Sequence, residues 1–143
     1  MATEDPYDLQ RFVAAQDAGG TYQRAVAELQ RGRKDSHWMW FVFPQIAGLG
    51  YSPTSRAYAI SGLAEARAYL AHPVLGARLT ECAAIVAGLP GRRAEQVFGE
   101  VDALKLCSSM TLFARAAPEE PLFRQVLEQY FDGVPDAATE QRL

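Results

Sequence analysis

Hydrophobic residues along this chain recur at intervals of three and four positions, which is the spacing of one face of an α-helix. The clearest stripe begins at Leu75, continues through Leu79, Cys82 and Val86, and ends at Leu89. Shorter stripes with the same spacing occupy residues 9–16, 22–29, 63–70, 101–112 and 122–131. The pattern therefore predicts a chain that is mostly helical.

Residues that cap or break helices separate these stripes. Ser52 and Pro53 form an N-cap followed by a proline at the first helical position, which predicts a helix start. Gly32 predicts the end of an early helix, and Pro90 with Gly91 predicts the end of the long stripe. The elements are therefore short to medium in length.

Residues 36–45 (Ser-His-Trp-Met-Trp-Phe-Val-Phe-Pro-Gln) contain both tryptophans and the densest aromatic content of the chain. Aromatic and β-branched residues favour a strand, in which Trp38, Trp40 and Val42 would share one face. No second strand-like run is present to pair with it, and a lone strand leaves its backbone groups without partners. The segment is therefore predicted to be a short helix. Together the elements predict an all-α fold, a single domain over residues 1–143 built from a bundle of about seven helices.

Composition narrows the class of protein. Of 143 residues, 49% are hydrophobic and 22% are charged, which is typical of a folded domain. The net charge of −3 argues against unspecific binding to nucleic acid or to an anionic membrane. No apolar run approaches the length of a membrane span, and the acidic residues 1–5 are unlike a signal peptide. Cys82 and Cys107 lie within helical stripes, so we expect buried free thiols and a cytoplasmic location.

Two interpretations of the aromatic segment remain open. Large rings form cores, since burying each contributes roughly 1.5–3 kcal/mol. Flat rings beside a few polar groups also form pockets for planar ligands such as nucleobases. Under the second interpretation, the candidate ligand-binding residues in and near the segment are Lys34, Trp38, Trp40, Phe43, Gln45 and Tyr58.

A second dense segment lies on the long helix predicted over residues 100–116, after a break at Gly99. Its apolar face is predicted to include Val101 and Leu104, one helical turn apart. Hydroxyl residues are unfavourable in a helix interior, so Ser108, Ser109 and Thr111 indicate a special role: bonds back to the helix, close packing or contact with a ligand.

Asp102, Lys105 and Ser109 follow one another along one face of that helix. A carboxylate, an ammonium and a hydroxyl in a row suit the recognition of a polar or phosphorylated ligand, and they equally suit a solvated face. Asp102 also lies in the first turn, where the helix dipole favours a carboxylate. Lys105, Ser108 and Ser109 are therefore candidate ligand-binding residues.

The sequence gives little support for a metal site or for a catalytic cysteine. His37 and His72 are far apart, neither lies in a His-Glu-x-x-His pattern, and no paired cysteines occur. We therefore expect no metal site and no cofactor. Cys82 and Cys107 are interpreted as packed thiols rather than nucleophiles.

The aromatic segment 36–45 and the later Lys105-Leu106 and 108–113 (Ser-Ser-Met-Thr-Leu-Phe) resemble the signatures of a bacterial family, domain of unknown function 1810. Further matching residues are 8–9, 11–12, 15–16, 58–60, 65–66, 69–70, 72–73 and 75–76. The resemblance covers nearly the whole chain and implies a small all-α fold without bringing an established activity. The chain departs from the pattern at Ala103, where an acidic residue is expected, and at Cys107, where a basic one is common.

A fainter likeness connects the order of the helices, residues 12–16 and the segment 69–113 with the NADAR superfamily. Its members are N-glycosidases of NAD- or ADP-ribose-derived nucleotides. The tryptophan–glycine motif of that superfamily has no counterpart in order here, and no catalytic residue is carried over.

These observations lead to a first hypothesis: a metal-free hydrolase of an N-glycosidic bond in a nucleotide or ADP-ribose-type compound. Asp102, or else Asp35, would orient water against an oxocarbenium-like centre. His37 would protonate the leaving group, because histidine exchanges protons near neutral pH. The expected partner is a nucleotide-like small molecule, and the oligomeric state is left open.

Two alternatives stand beside the hydrolase. The same pocket would serve a non-enzymatic module that binds a small ligand or a peptide. Both dense segments would otherwise belong to the core alone, in which case Trp38→Ala would destabilise the fold by several kcal/mol.

Overall fold

The structure is a computed structural model that describes residues 5–89 and 91–143. Residues 1–4, which belong to the acidic stretch 1–5, and Pro90, which was predicted to end a helix, lie outside the described residues. Within these ranges, nine α-helices and one 3-10 turn (Ala18–Gly20) follow in order: α1 Gln10–Asp17, α2 Thr21–Arg31, α3 Met39–Val42, α4 Pro53–Ala57, α5 Leu63–Ala71, α6 Leu75–Ala87, α7 Ala94–Ala116, α8 Leu122–Phe131 and α9 Ala137–Glu140.

The prediction of an all-α fold is confirmed. Within the described ranges no strand forms, and the sole extended pairing is an isolated bridge between Ile46 and Ile60. The aromatic segment contributes the short helix α3, as its missing strand partner indicated. Ser52 caps α4 by accepting a hydrogen bond from Ser55 N, with Pro53 at the first helical position. Gly32 caps the end of α2 in the left-handed conformation.

Helix α7 is the central element and packs against α5, α8 and α9. Its inward residues Leu106, Met110 and Phe113 are completely buried. Phe113 contacts Tyr69 of α5 and Phe123 of α8, with ring centroids 5.4 and 5.9 Å apart. Burial of these large side chains holds three helices to one core.

The backbone of α7 departs from helical geometry at Gly99, where φ is 80° and ψ is 166°, a conformation that favours glycine. The Val97 carbonyl oxygen, just before this break, accepts a hydrogen bond of 2.7 Å from the backbone N–H of Lys34. The break predicted at Gly99 is therefore present as a kink between two helical stretches of α7. The hydrogen bond to Val97 joins α7 to the loop that precedes the aromatic segment.

The expectation that Val101 and Leu104 face the core is wrong. Their exposed fractions are 67% and 70%. After the break at Gly99 the buried face of α7 passes through Ala103, Leu106 and Met110. The helical spacing alone does not distinguish these two neighbouring faces, since both carry apolar residues, and α5 and α8 cover only one of them.

Among the described helices, none is by itself long and apolar enough to cross a membrane. Taken together, α5 and α6 reach that length and composition, but they meet at an angle of 91°.

Candidate functional site

The loop between α2 and α3 is organised around Glu28, a buried carboxylate on the inner face of α2. Its Oε1 accepts hydrogen bonds from the backbone N–H groups of Asp35 (2.7 Å) and Ser36 (2.8 Å). The same oxygen accepts the indole N–H of Trp38 at 3.0 Å, and Oε2 accepts the Ser36 hydroxyl. One side chain thereby fixes the loop and the first tryptophan.

These donors decide the protonation state of Glu28. Burial by itself raises the pKa of a carboxyl group, because it penalises the charged form. The hydrogen bonds donated by Ser36, Asp35 and Trp38 outweigh burial and lower the pKa of Glu28 to about 2. The carboxylate is therefore ionised throughout the neutral range.

Next to this anchor is a cleft of about 240 Å³ that we call the cationic cleft. Its walls come from the loop before α3, from α3, from the start of α4 and from α7. The lining residues are Lys34, His37, Trp38, Met39, Trp40, Phe41, Thr54, Asp102 and Lys105. The aromatic segment and the second dense segment therefore meet at an open cleft.

Asp102 joins two lysines at the centre of the cationic cleft. Its Oδ2 lies 2.8 Å from Lys34 Nζ, and its Oδ1 lies 3.0 Å from Lys105 Nζ. Lys34 Nζ also donates to the Ser36 carbonyl oxygen. Burial raises the pKa of Asp102, but the two ammonium groups outweigh that effect and hold it below its usual range. With Asp102 ionised, this group of three side chains carries one net positive charge.

The two lysines differ in what they leave accessible. The Lys34 side chain is 7% exposed, and its ammonium group lies 5.0 Å from the ring centre of Trp38. The Lys105 side chain is 20% exposed, and its ammonium group lies 4.2 Å from the ring centre of Trp40. Among the described residues Lys105 Nζ makes one hydrogen bond, to Asp102, so Lys105 retains donors for a ligand.

Several predicted site residues lie outside this cleft. Phe43 is completely buried and packs against Trp38 and Phe98, with ring centroids 6.2 and 6.1 Å apart, so it does not reach a ligand. Asp35 points to solvent and pairs with Arg31 at 2.8 Å. The structure therefore places Asp35 away from the cleft, because its partner is on the outer surface of α2.

The hydroxyl residues of α7 also lie elsewhere. Ser108 is buried, and its hydroxyl donates to the Leu104 carbonyl oxygen at 3.1 Å. Asp136 Oδ2, at 3.2 Å from the same hydroxyl, is an alternative acceptor. Ser109 is completely buried, and its Oγ has no partner among the described residues. Neither reaches the cationic cleft. Of the interpretations considered for them, bonding back to the helix fits Ser108 and interior packing fits Ser109.

Trp38 and Trp40 also have different surroundings. Trp38 is 1% exposed, so it borders the cleft without offering a face on which a ligand could stack. Trp40 is half-buried and also lines a second pocket, which we call the Gln45 pocket. Gln45 and Tyr58, both predicted to bind a ligand, line the Gln45 pocket and not the cationic cleft.

Two residues of this region were missed by the sequence analysis. Glu28 could have been noticed as a carboxylate among Ala25 and Leu29 on the apolar face of α2. Thr54, in the first turn of α4, lines the cationic cleft. Only its place beside the Ser52-Pro53 helix start marks it in the sequence, and that signal carries no information about a ligand.

Across residues 5–89 and 91–143, no three or more His, Cys, Asp or Glu side chains are arranged to hold a metal ion. The groups that the cleft itself offers include two ammonium groups, a carboxylate, an imidazole and an indole ring. Cys82 and Cys107 are both buried free thiols, as expected. Burial raises the pKa of Cys82 to about 12 and that of Cys107 to about 11, so both stay protonated at neutral pH.

Together the fold and the cleft define a small all-α protein with a cationic, aromatic-lined surface cleft. A family model described as protein of unknown function (DUF1810) matches residues 6–143, and the chain belongs to that family. The crystal structure of the conserved hypothetical protein Rv1873 from Mycobacterium tuberculosis is similar, with 52% sequence identity and a TM-score of 0.94. The match covers 97% of this chain and 98% of that chain. No curated protein matches, and the fainter likeness to the NADAR superfamily finds no support among these matches.

Proposed function

We propose that the protein hydrolyses the N-glycosidic bond of a nucleotide or ADP-ribose-type compound bound in the cationic cleft. One observation carries the proposal: an ionised carboxylate, a partly exposed ammonium group and a half-buried indole ring face one cleft. These are Asp102, Lys105 and Trp40. Anionic ligands need the cation, planar ligands suit the ring, and an oxocarbenium-like centre is stabilised by a carboxylate.

The side chains of the cleft take separate roles in this reaction. Lys105 attracts a phosphate group of the ligand as a point charge. Asp102 stabilises positive charge at C1′ and orients a water molecule towards it. The C1′–N bond breaks and the nitrogen leaves with the bonding electron pair. Where that nitrogen would otherwise become anionic, as in ADP-ribosylated guanosine, His37 donates a proton to it, whereas the pyridinium of NAD leaves as neutral nicotinamide without one. The water oxygen then bonds to C1′ and its proton passes to the solvent.

The exposed position of His37 at the cleft is consistent with its exchanging protons with solvent. We place the reaction in the cytoplasm, because Cys82 and Cys107 are free thiols and reduced cysteines are typical of that compartment.

The test is mass spectrometry of NAD, ADP-ribosylated guanosine and related N-glycosides after incubation with purified protein. We expect release of the free base, its loss in Asp102→Asn, and unchanged release in Asp35→Asn. Asp35 is a matched control because it is also an ion-paired aspartate but lies outside the cleft. Absence of any released base across the panel would refute the hydrolase.

A second candidate is a non-enzymatic module that binds the same ligands. The observation that favours it is that each oxygen of Asp102 already accepts a hydrogen bond or ion pair from a lysine, which weakens its hold on water. Titration calorimetry separates the two functions. Binding without turnover, reduced by Lys105→Met, supports the module, whereas turnover lost in Asp102→Asn with affinity retained supports the hydrolase.

A further inference from the structure

The Gln45 pocket is bounded by the loop that follows α3 and by the side of α4. It has a volume of about 130 Å³ and lies next to the cationic cleft, with which it shares Trp40. Its other walls are mainly apolar and include Ile46, Leu49 and Tyr58. An engineered closed cavity of about 150 Å³ accommodates benzene. This pocket is slightly smaller but partly open to solvent, so one six-membered ring is the largest planar group that suits it.

Besides Ser55 and Arg56, the polar residues of the lining include Gln45, whose side-chain amide has an unpaired donor in the described structure. The residue is 7% exposed, and its Nε2 is buried with no hydrogen-bond partner among the described residues. A buried amide N–H without a partner destabilises a fold, and most such groups in proteins are paired. An unpaired amide at a pocket wall therefore points to a ligand that supplies the missing acceptor.

The backbone holds Gln45 in this position. Its carbonyl oxygen accepts a 2.8 Å hydrogen bond from Ile60 N, and Ala47 N donates to the Ile60 carbonyl oxygen at 2.8 Å. These two bonds form the isolated bridge of the fold. The amide is thus presented by a fixed main chain, which is a requirement for directional recognition.

The walls of the pocket are also fixed. A Cβ atom at Gly50 would lie 2.7 Å from the Ser55 side chain and 3.4 Å from Trp40 Cη2, so the loop approaches both closely only as glycine. The Tyr58 ring packs against Phe41, with centroids 5.3 Å apart. These contacts set the shape of two walls of the pocket.

We propose that the Gln45 pocket binds a single six-membered heterocycle with an amide edge, a carbonyl group adjacent to an N–H. Gln45 Nε2 donates to the ligand carbonyl, and Gln45 Oε1 accepts from the ligand N–H, which is the pairing of two amides. Uracil and the carboxamide of nicotinamide both present this edge. One part of this proposal rests on the proposed function: if the heterocycle is the base of a nucleotide, its sugar phosphate extends past Trp40 towards Lys105.

The experiment titrates the purified protein with uracil and nicotinamide by ligand-observed NMR and by tryptophan fluorescence. The control probes are 1,3-dimethyluracil and N,N-dimethylnicotinamide, which keep the ring and lose the N–H. We expect the parent compounds to bind at least about tenfold more tightly than their methylated forms. Binding of uracil alone identifies a pyrimidine site, binding of nicotinamide alone identifies a pyridine carboxamide site, and binding of both supports the shared edge.

A variant of Gln45 tests whether its amide recognises the ligand or serves only the fold. Gln45→Met removes the unpaired amide at similar volume, so we expect a raised Tm together with loss of the preference for the parent probes. The exposed Gln125→Met is the matched control and should change neither. A lowered Tm with the preference retained would overturn the proposal.

Two further results on the wild-type protein would also overturn the proposed ligand site. One is that neither parent probe binds, and the other is that parent and methylated probes bind equally. These outcomes do not depend on the variant being folded. Binding of a ring probe without hydrolysis of any nucleotide would instead refute the proposed hydrolase activity and support the proposed ring site. Hydrolysis of a nucleotide without binding of a ring probe would refute the ring site and support the hydrolase. The two failures are therefore distinguishable.

Discussion

Trp38 and Trp40 are separated by one residue and occupy opposite kinds of environment. Trp38 is 1% exposed, donates its indole N–H to the buried Glu28 and packs against Phe43. Trp40 is half-buried, lies under the Lys105 ammonium and borders two pockets. The first is a core residue with a satisfied polar atom, and the second is a wall of the candidate site.

The difference shows that one aromatic run supplies both a core residue and a wall of the candidate site, two positions apart. From the sequence, both interpretations stay open for the whole segment, and the structure divides them between its residues. Side chains buried beside Glu28 hold the loop, whereas those turned to α4 and α7 form the cleft. Substitutions on the two sides should therefore have separable effects on stability and on ligand binding.

The largest expected effect is that of Trp38→Ala. It leaves a cavity and removes a partner of the buried Glu28, so we expect the free energy of unfolding to fall by about 3–5 kcal/mol. Trp40→Ala should lower it by about 1 kcal/mol and weaken ligand binding. Urea unfolding of both variants measures the contrast. Equal losses of stability would mean that the two tryptophans are both core residues.

Acid should destabilise the Glu28 side of the molecule. The pKa of Glu28 is lowered from 4.5 to about 2 in the folded protein, which corresponds to about 3 kcal/mol. Because the folded pKa is depressed, this stabilisation is fully present above pH 4.5 and is lost as the pH falls through 2. Glu28→Gln should flatten that decline when stability is measured against pH, whereas the exposed Glu128→Gln should not.

Breaking the ion pair in the cleft should have an intermediate effect. Asp102→Ala leaves the buried ammonium of Lys34 with the Ser36 carbonyl oxygen as its remaining acceptor in the described structure. We expect a loss of about 1–3 kcal/mol by chemical denaturation. Asp35→Ala removes an exposed pair and should cost less than about 1 kcal/mol. A comparable loss in both variants would show that the cleft pair is as weak as a surface pair.

The smallest effect is expected at Leu104, which the helical pattern placed in the core. It is 70% exposed, so Leu104→Ser should change the free energy of unfolding by less than about 0.5 kcal/mol. Leu106→Ala, two residues later and completely buried, should lower it by about 2–5 kcal/mol. Thermal unfolding of the two variants checks which of these leucines is buried. A large loss of stability in Leu104→Ser would show that Leu104 belongs to the core.

The candidate site was predictable in part. Trp40, Lys105, Asp102 and His37 were named from residue type and spacing, and the structure brings them to one cleft. Lys34 was named as well, but its pairing with Asp102 was not foreseen, because 68 positions separate them along the chain (102 minus 34). Residue type also suggested Ser109, which is completely buried on the inner face of the same helix.

The sequence by itself determined the all-α class and most helix boundaries, because period, caps and breakers act within a few residues. It also determined the short helix at residues 39–42, since a lone strand has no backbone partners. Only the tertiary structure decided which of two adjacent apolar faces of α7 is buried, and which tryptophan meets Glu28. It also formed the Gln45 pocket, because that pocket depends on the backbone hydrogen bonds of Ile60, which follows α4, with Gln45 and Ala47, which precede it. Local interactions specify elements, whereas sites arise from contacts between elements that no local pattern encodes.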